Sequence, residues 1–430
     1  MNLRELLVSR LKALGVTRVV GAAPLIGDDA PAELQLGHVA VDDEDLACLL
    51  ADTDGRINGG FGAALLSGGI LHLSSQPGGR SPVHSVASAE ELLAALALVA
   101  PNRAPSTLAI HLDLDLDEPV ADDVPAPEVE RAVLLRLDES LSDMAIAIVV
   151  GPGVVRAGAV EGLGTCADQL GVSVFNTWGA KGVFRWDDPR HGGTIGLQAL
   201  DLVLAGIDAA DIVITSGLDR DELGNDLDGL TVQDVDPANL ALLAAHWTRR
   251  PPAGRPPLYD AIATVTVPAY EDDSVPLSAA RAALHLSGVV LDGGIVAADP
   301  GLAGFWVARA FPTGKPNAVF VPALACDGFA AAASLLSALD GRPCLAVTDA
   351  FDPTTEAVLG VAEALSLGAT VQIWGDDGGS IVTAADHVAL CSTQLTATSV
   401  RIDDVPVRLD PAALTAVAGP ISAWGGVRNN

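Results

Sequence analysis

The stretch from 144 to 184 constrains the fold of this chain more than any other. It contains an apolar strand, a glycine turn, a helix and a second strand, in the sequence MAIAIVVGPGVVRAGAVEGLGTCADQLGVSVFNTWGAKGVF. This pattern predicts a βαβ unit with parallel strands. Gly151 and Gly153 lie at the turn, but the glycine spacing differs from the GxGxxG fingerprint of dinucleotide-binding domains. Asn176 and Thr177 stand where a carboxylate would bind a ribose, which disfavours classical NAD binding.

The composition is that of a folded and strongly acidic protein. Half of the 430 residues are apolar, and 24 basic against 55 acidic residues give a net charge of −31. This charge repels nucleic acids and anionic membrane surfaces, and the apolar runs are too short to cross a bilayer. The N-terminal sequence predicts a folded helix rather than a signal peptide. The five cysteines are scattered, which predicts reduced thiols in a cytoplasmic protein.

Alternating strand and helix patterns predict an α/β fold in which helices flank parallel sheets. Strands are expected at VTRVVG, GILHLSS and STLAIHLDLD, and a helix at AEELLAALALVA. Two proline-rich segments, 117–130 and 250–258, predict linkers, and a weaker boundary lies at 269–276. The predicted domains are therefore residues 1–120, 135–270 and 277–415.

Three segments of the middle domain resemble a known family: VVGPGVVRAGA, FNTWGAKGVFRWDDPRHGGTIGLQ and ADIVITSGLDRDE. They are similar to the central domain of thiamine-diphosphate (ThDP) enzymes related to acetolactate synthase, benzoylformate decarboxylase and oxalyl-CoA decarboxylase. The resemblance implies a pyrimidine-binding domain, a nucleotide-fold central domain and a diphosphate-binding domain, assembled as a homodimer or tetramer. In this family the central domain holds FAD, an ADP moiety or nothing. The residues that would face such a ligand, unless they are packing or loop residues, are Gly151, Gly153, Trp178, Lys181 and His191.

The first domain contains a candidate for the glutamate that activates ThDP in this family. VDDEDLACLLADTDGR resembles the helix that carries this glutamate, which places Glu44 at its position. The alternative is that Glu44 only stabilises the N-terminus of a helix. SSQPGG resembles the family's cofactor loop and includes Gly78. A strand-helix-strand passage that the family has after this loop is missing, so the domain is a reduced version.

The third domain contains candidates for the ligands of Mg²⁺, the ion that holds the diphosphate in this family. Asp349 in VTDAF aligns with the aspartate of the family's metal turn, although both flanking glycines are replaced. Asp376 follows the next strand, where the family has an asparagine. Two carboxylates could bind Mg²⁺ but would repel a diphosphate, and the alternative is that both are ordinary strand-end acids. Asp292 and His387 are expected to be surface or helix-capping residues.

The sequence is compatible with three functions. The first is a ThDP-dependent enzyme with acetolactate synthase-like or decarboxylase-like chemistry, in which Glu44, Asp349 and Asp376 serve the cofactor. The second is a non-catalytic relative that acts as a partner or regulator of a paralogous subunit, which the missing glycines and the missing passage favour. The third is a protein that binds a nucleotide or acyl-CoA through its central domain.

Overall fold

The computed structural model describes residues 2–27, 31–79, 81–99, 106–120, 136–223, 226–290, 292–376, 379 and 381–425. These residues contain three sheets flanked by helices, which confirms the predicted α/β class. The chain divides into two compact units, residues 1–131 and residues 132–430. The first unit holds one sheet and the second holds two. Both predicted boundaries after residue 250 lie inside the second unit.

The first unit is a mixed sheet with helices on its faces. Its strand order is β2-β1-β3-β4-β6-β5, and β4 runs antiparallel to both of its neighbours while the other pairs are parallel. Helix α1 begins at a capping box formed by Asn2 and Glu5, and Asp43 caps α2. The elements are α1 Leu3–Ala13, β1 Arg18–Gly21, β2 Gly37–Ala40, α2 Glu44–Asn58, β3 Gly62–Leu66, β4 Ile70–Ser74, β5 Val83–Val86, α3 Ala89–Leu96 and β6 Thr107–Leu112.

The second unit begins with the predicted βαβ arrangement, built into a parallel sheet in the order β11-β10-β7-β8-β9. Strands β7 and β10 are buried at every position, which explains their continuous apolar sequence. The elements are β7 Ile146–Val150, α4 Pro152–Arg156, α5 Val160–Leu170, β8 Val174–Thr177, β9 His191–Ile195, α6 Asp201–Ala205, β10 Ile212–Ser216, β11 Val232–Asp234 and α7 Pro257–Glu271.

The third sheet is parallel in the order β12-β17-β16-β15-β13-β14. Its core is dominated by buried alanine, valine and leucine side chains from the strands and from α8 and α9, and α10 is also largely buried. The elements are β12 Leu277–Ser278, α8 Ala279–Val289, β13 Ile295–Ala298, α9 Leu302–Ala310, β14 Val319–Phe320, α10 Phe329–Leu339, β15 Cys344–Thr348, α11 Pro353–Ala364, β16 Thr370–Gly375, α12 Ala384–Gln394, β17 Arg401–Arg408 and α13 Ala412–Ala418.

Most local predictions agree with this fold. The predicted strands of the first domain correspond to β1, β4 and β6, and the predicted helix corresponds to α3. All five cysteines are free thiols, and three of them are buried. Most of the predicted linker 117–130 lies outside the described residues. Within the described residues, every helix is too short or too polar to span a membrane.

Candidate functional site

Glu44 lies beside a small pocket within the first unit. It is the first residue of α2, and its exposed carboxylate accepts a hydrogen bond of 2.8 Å from the backbone amide of Ser67. The pocket has a volume of about 170 Å³ and is also lined by Gly21, at the end of β1, and Leu66, at the end of β3. Hydrogen bonds from Ser67 hold the pKa of the Glu44 carboxyl below its usual range. A carboxylate at the ends of parallel strands can accept a hydrogen bond from a heterocyclic ligand.

The backbone of Gly78 forms a hydrogen bond with a buried carboxylate of the same unit. Gly78 adopts a left-handed φ of 78°, and its backbone hydrogen-bonds Asp52. Asp52 lies on α2 and also contacts Nε2 of His72 at 2.6 Å. Burial raises the pKa of Asp52, although the hydrogen bonds from His72, Ser74 and Gly78 oppose this effect. In the first unit, the loop that contains Gly78 is therefore fixed by a buried acid.

Gly151 and Gly153 lie at the carboxyl end of β7, where they pack against the chain's own backbone. A Cβ atom at Gly151 would come within 2.4 Å of the carbonyl oxygen of Gly217, and one at Gly153 within 2.7 Å of its Cα. Gly217 itself has a φ of 60°, which favours glycine. The close approach that these glycines permit is therefore between two turns of the same sheet. Their predicted role in binding a nucleotide stays a prediction.

Lys181 and His191 line one large cavity of the second unit, with a volume of about 340 Å³. Lys181 is only 7% exposed, and burial together with the charge of Arg309 lowers the pKa of its ammonium group to about 7. His191 lies at the start of β9, and burial lowers the pKa of its imidazole to about 4. Its Nδ1 atom is buried, and no hydrogen-bond partner for it is present among the described residues.

Arg309, on the same cavity wall, belongs to a buried ion pair. Nη2 of Arg309 lies 2.8 Å from each carboxylate oxygen of Asp201, and Nη1 donates to the carbonyl oxygen of Thr194 at 2.7 Å. Both side chains of the pair are at most 2% exposed. Trp178, in contrast, is a core residue that contacts Trp424 with ring centroids 5.4 Å apart. The residues predicted to face a ligand of the central domain therefore lie in three places. Gly151 and Gly153 are in a turn, Lys181 and His191 line the cavity, and Trp178 is in the core.

Aspartates follow three neighbouring strands of the third sheet: Asp299 after β13, Asp349 after β15 and Asp376 after β16. Oδ2 of Asp349 accepts hydrogen bonds from the amides of Leu302 at 2.5 Å and Ala303 at 3.3 Å, which begin α9. A Cβ atom at residue 301 would come within 2.6 Å of the same oxygen, so Gly301 allows this contact. Asp376 is exposed.

Asp299 and one further carboxylate, Asp352, cap helices at the same edge of the sheet. Oδ1 of Asp299 accepts from the amide of Ala330 at 2.7 Å, in the first turn of α10, and Oδ1 of Asp352 accepts from the amide of Thr355 at 2.8 Å, in α11. Burial raises the pKa of Asp299 to about 7, and the nearby charges of Asp352 and Asp349 add to this effect. The N-termini of α9, α10 and α11 are therefore each stabilised by a carboxylate of the chain itself.

This arrangement is a poor fit for a diphosphate. Phosphates commonly bind at helix N-termini, where free backbone amides meet them, and here aspartates occupy amides of all three helices. A divalent cation held by carboxylate and other oxygen atoms could compensate the charge. A group of three or more histidine, cysteine, aspartate or glutamate side chains that could hold one is absent from the described residues. The roles of Asp349 and Asp376 as Mg²⁺ ligands stay predictions.

His387 was expected to be a surface or capping residue, and this expectation is wrong. It is fully buried in α12, where its Nδ1 lies 3.0 Å from Nδ1 of His285 and its Nε2 lies 3.0 Å from Oε1 of Gln372. Because an amide oxygen only accepts, Nε2 of His387 donates, and the proton between the two rings belongs to His285. Asp292 lies on the surface as expected, paired with Lys315.

Sequence reasoning missed several polar residues of these sites. Asp299 directly follows an apolar strand, as Asp349 does, so the signal that identified Asp349 could have identified it. The partners Asp201 and Arg309 are separated by 108 positions, and no local pattern connects them. Asp52 and His72 lie on a helix and a strand whose contact depends on the tertiary fold.

The sequence matches one protein family over part of its length, and the structure resembles solved structures of one fold. Residues 142–241 match the family described as the central domain of thiamine pyrophosphate enzymes. A putative thiamin diphosphate-dependent enzyme from Mycobacterium smegmatis superimposes with a TM-score of 0.60 at 15% identity, over 95% of this chain and 99% of that one. A thiamine diphosphate-dependent 4-hydroxybenzoylformate decarboxylase from Rhodococcus jostii RHA1 superimposes with a TM-score of 0.64 at 15% identity, over 95% and 100%. No curated protein sequence matches the chain.

These comparisons confirm the predicted resemblance. The central segment matches the family, and almost the whole chain has the fold of ThDP-dependent enzymes. Since one fold hosts many functions, the likeness in fold leaves the activity to be argued from the sites.

Proposed function

We propose that the chain is a non-catalytic relative of ThDP-dependent enzymes, which keeps their fold and acts as a partner or regulatory protein. The observation that supports this proposal is the set of carboxylates at the carboxyl edge of the third sheet, where Asp299, Asp349 and Asp352 cap three helices. In a protein that binds a diphosphate there, the helix amides would be open to the ligand.

The electrostatics of this edge support the same proposal. A diphosphate would meet the negative charge of the capping aspartates, and the whole chain adds a net charge of −31. One or two of the amides that could offset this charge in each helix are already bonded to carboxylates of the chain. The binding free energy of the diphosphate would therefore have to exceed the loss of these intramolecular hydrogen bonds.

The second candidate function is ThDP-dependent carbon–carbon bond chemistry, as in acetolactate synthases and 2-oxo acid decarboxylases. Two observations favour it: Glu44 lines a pocket at the strand ends of the first unit, and one structural neighbour is a decarboxylase. When bound, ThDP supplies a carbanion that attacks a carbonyl carbon. Glu44 would hydrogen-bond its aminopyrimidine ring, while the diphosphate half of the site lacks a matching set of groups.

Calorimetric titration and thermal shift with ThDP and Mg²⁺ separate the two candidates. We expect no saturable heat and no shift in Tm at millimolar cofactor for the full chain. Glu44→Gln and Asp349→Ala serve as site variants, and Asp292→Ala serves as a control because its carboxylate is exposed. Saturable binding that both site variants abolish and the control retains would reject the non-catalytic proposal.

A further inference from the structure

The cavity lined by Lys181 and His191 contains a positive group that the protein itself leaves unmatched. The ammonium group of Lys181 is buried, and within the described residues it has neither a carboxylate partner nor a hydrogen bond. The neighbouring guanidinium of Arg309 is already paired with Asp201. A buried charge without a partner costs free energy, so an anion that enters this cavity gains an interaction that the empty protein lacks.

The rest of the cavity wall is mostly apolar. It lies along the edge strand β9 and is closed by α7 and by the end of α9, with side chains that include Leu258, Ile262 and Phe311. Two apolar side chains at the wall are unusually exposed, Trp186 at 46% and Val267 at 49%. An apolar ligand body would remove this surface from water and so gain free energy.

From this combination we infer that the cavity binds a monocarboxylate with an apolar chain or ring. Its carboxylate would lie against the ammonium group of Lys181, and its apolar body would fill the space between α7 and β9. A single unmatched cation fits a single negative charge, and the exposed carboxylate of Glu271 on the same wall opposes a second one. The volume of about 340 Å³ lies at the lower end of the range for small-molecule sites.

The cavity contains Lys181 and His191, two of the residues predicted to face a nucleotide, but it excludes the glycine turn and the positions considered for ThDP. Gly151 and Gly153 lie at the carboxyl end of β7, whereas the cavity lies along the edge strand β9 of that sheet. Asp349 and Glu44 are absent from its wall. The inference goes beyond the proposed function, since a carboxylate could bind here whether or not the chain binds ThDP.

Titration calorimetry with three eight-carbon probes tests the charge requirement: octanoate, 1-octanol and octylamine. At pH 6.5, where most Lys181 carries its charge, we expect saturable binding of octanoate. We expect 1-octanol to bind at least tenfold more weakly and octylamine not to bind. Equal binding of octanoate and octylamine, or no octanoate binding at millimolar concentration, would overturn the inference.

Two pairs of variants locate the site. Lys181→Met should weaken octanoate at least tenfold and leave 1-octanol within about twofold, while the exposed control Lys315→Met should bind octanoate as the unmodified chain does. Val267→Glu should weaken octanoate relative to Val267→Gln, and this exposed position is testable even if Lys181→Met does not fold. Octanoate binding that Val267→Glu leaves unchanged would contradict the assignment. ThDP is absent throughout, so the result is independent of the cofactor titration.

Discussion

At the scale of single residues, two ion pairs of the second unit represent two classes of charged group. Arg309 and Asp201 are buried and bonded to each other, so each satisfies the charge that the other brings into the core. Lys315 and Asp292 form an exposed pair, which solvent screens. Lys181 belongs to neither class, because it is buried and its charge is unmatched. Its low pKa and its position in a cavity make it the residue on which the ligand inference depends.

The buried pair gives a prediction about stability. Arg309→Met should lower the free energy of unfolding by about 3–5 kcal/mol, because it leaves the buried carboxylate of Asp201 without its ion-pair partner. The double variant Asp201→Asn with Arg309→Met should recover part of this loss. Urea unfolding measures both, and the control Lys315→Met should change stability by less than about 0.5 kcal/mol. An equal, small effect of Arg309→Met and Lys315→Met would contradict the structural role of the pair.

At the scale of helices and strands, the aspartates that follow the strands of the third sheet act mainly on helices. Asp349 directly follows β15, yet its carboxylate is bonded to the start of α9, which follows a neighbouring strand. Because all six described strands of this sheet run parallel, their carboxyl ends and the starts of the following helices meet at one edge. A carboxylate that follows a strand at this edge can bind a ligand or cap a helix. The carboxylate of Asp349 caps α9.

The helix contact of Asp349 predicts a loss of stability when it is removed. Asp349→Ala should lower the free energy of unfolding by about 1 kcal/mol, since two amides at the start of α9 lose their acceptor. Chemical denaturation of this variant and of Asp292→Ala provides the comparison. If Asp349→Ala were as stable as the unmodified chain, the carboxylate would be free for another role.

The buried histidine pair predicts a dependence of stability on pH. Burial lowers the pKa of His285 to about 4 and that of His387 to about 3. In the unfolded chain both titrate near 6.5, so below this pH the unfolded state binds more protons than the folded state. The contribution of these two residues to the free energy of unfolding is therefore largest above pH 6.5, and it is lost as the pH falls toward 4.

The variant His387→Gln isolates this contribution. Between pH 7 and pH 5 its free energy of unfolding should fall less than that of the unmodified chain, by up to about 2 kcal/mol per histidine that no longer titrates. Urea unfolding at the two pH values gives the difference. Identical pH dependence in both proteins would show that the pair titrates in the folded state as it does in solution.

At the scale of the whole molecule, the sequence predicted the class of fold well and the sites less well. The βαβ unit follows from apolar periodicity and turn glycines, which are local, and it was correct. The antiparallel strand β4 was not foreseen, because its apolar pattern is the same in either direction. The helix that begins at Glu44 follows from its local apolar pattern, whereas the role of Glu44 toward a cofactor stays a prediction.

The remaining parts of the sites depend on contacts between distant residues. The sequence suggested that Asp349 is either a metal ligand or a strand-end acid, and its bond to the amide of Leu302, 47 positions away, could not be read from a local pattern. The pairing of Arg309 with Asp201, which leaves Lys181 as the unmatched charge of the cavity, depends on the tertiary fold in the same way. The local sequence thus identified candidate site residues, and the tertiary packing determined which of their side chains lack a partner within the protein.

The measurement that tests the central claim most directly is a paired titration of the unmodified chain and Asp349→Asn with ThDP and Mg²⁺. The substitution keeps the shape and an acceptor oxygen but removes one negative charge, so α9 should stay capped. We expect no saturable heat from the unmodified chain, because carboxylates occupy the helix N-termini where a diphosphate would bind. Saturable heat from the unmodified chain that is lost in Asp349→Asn would show that Asp349 holds the metal, and would contradict the account.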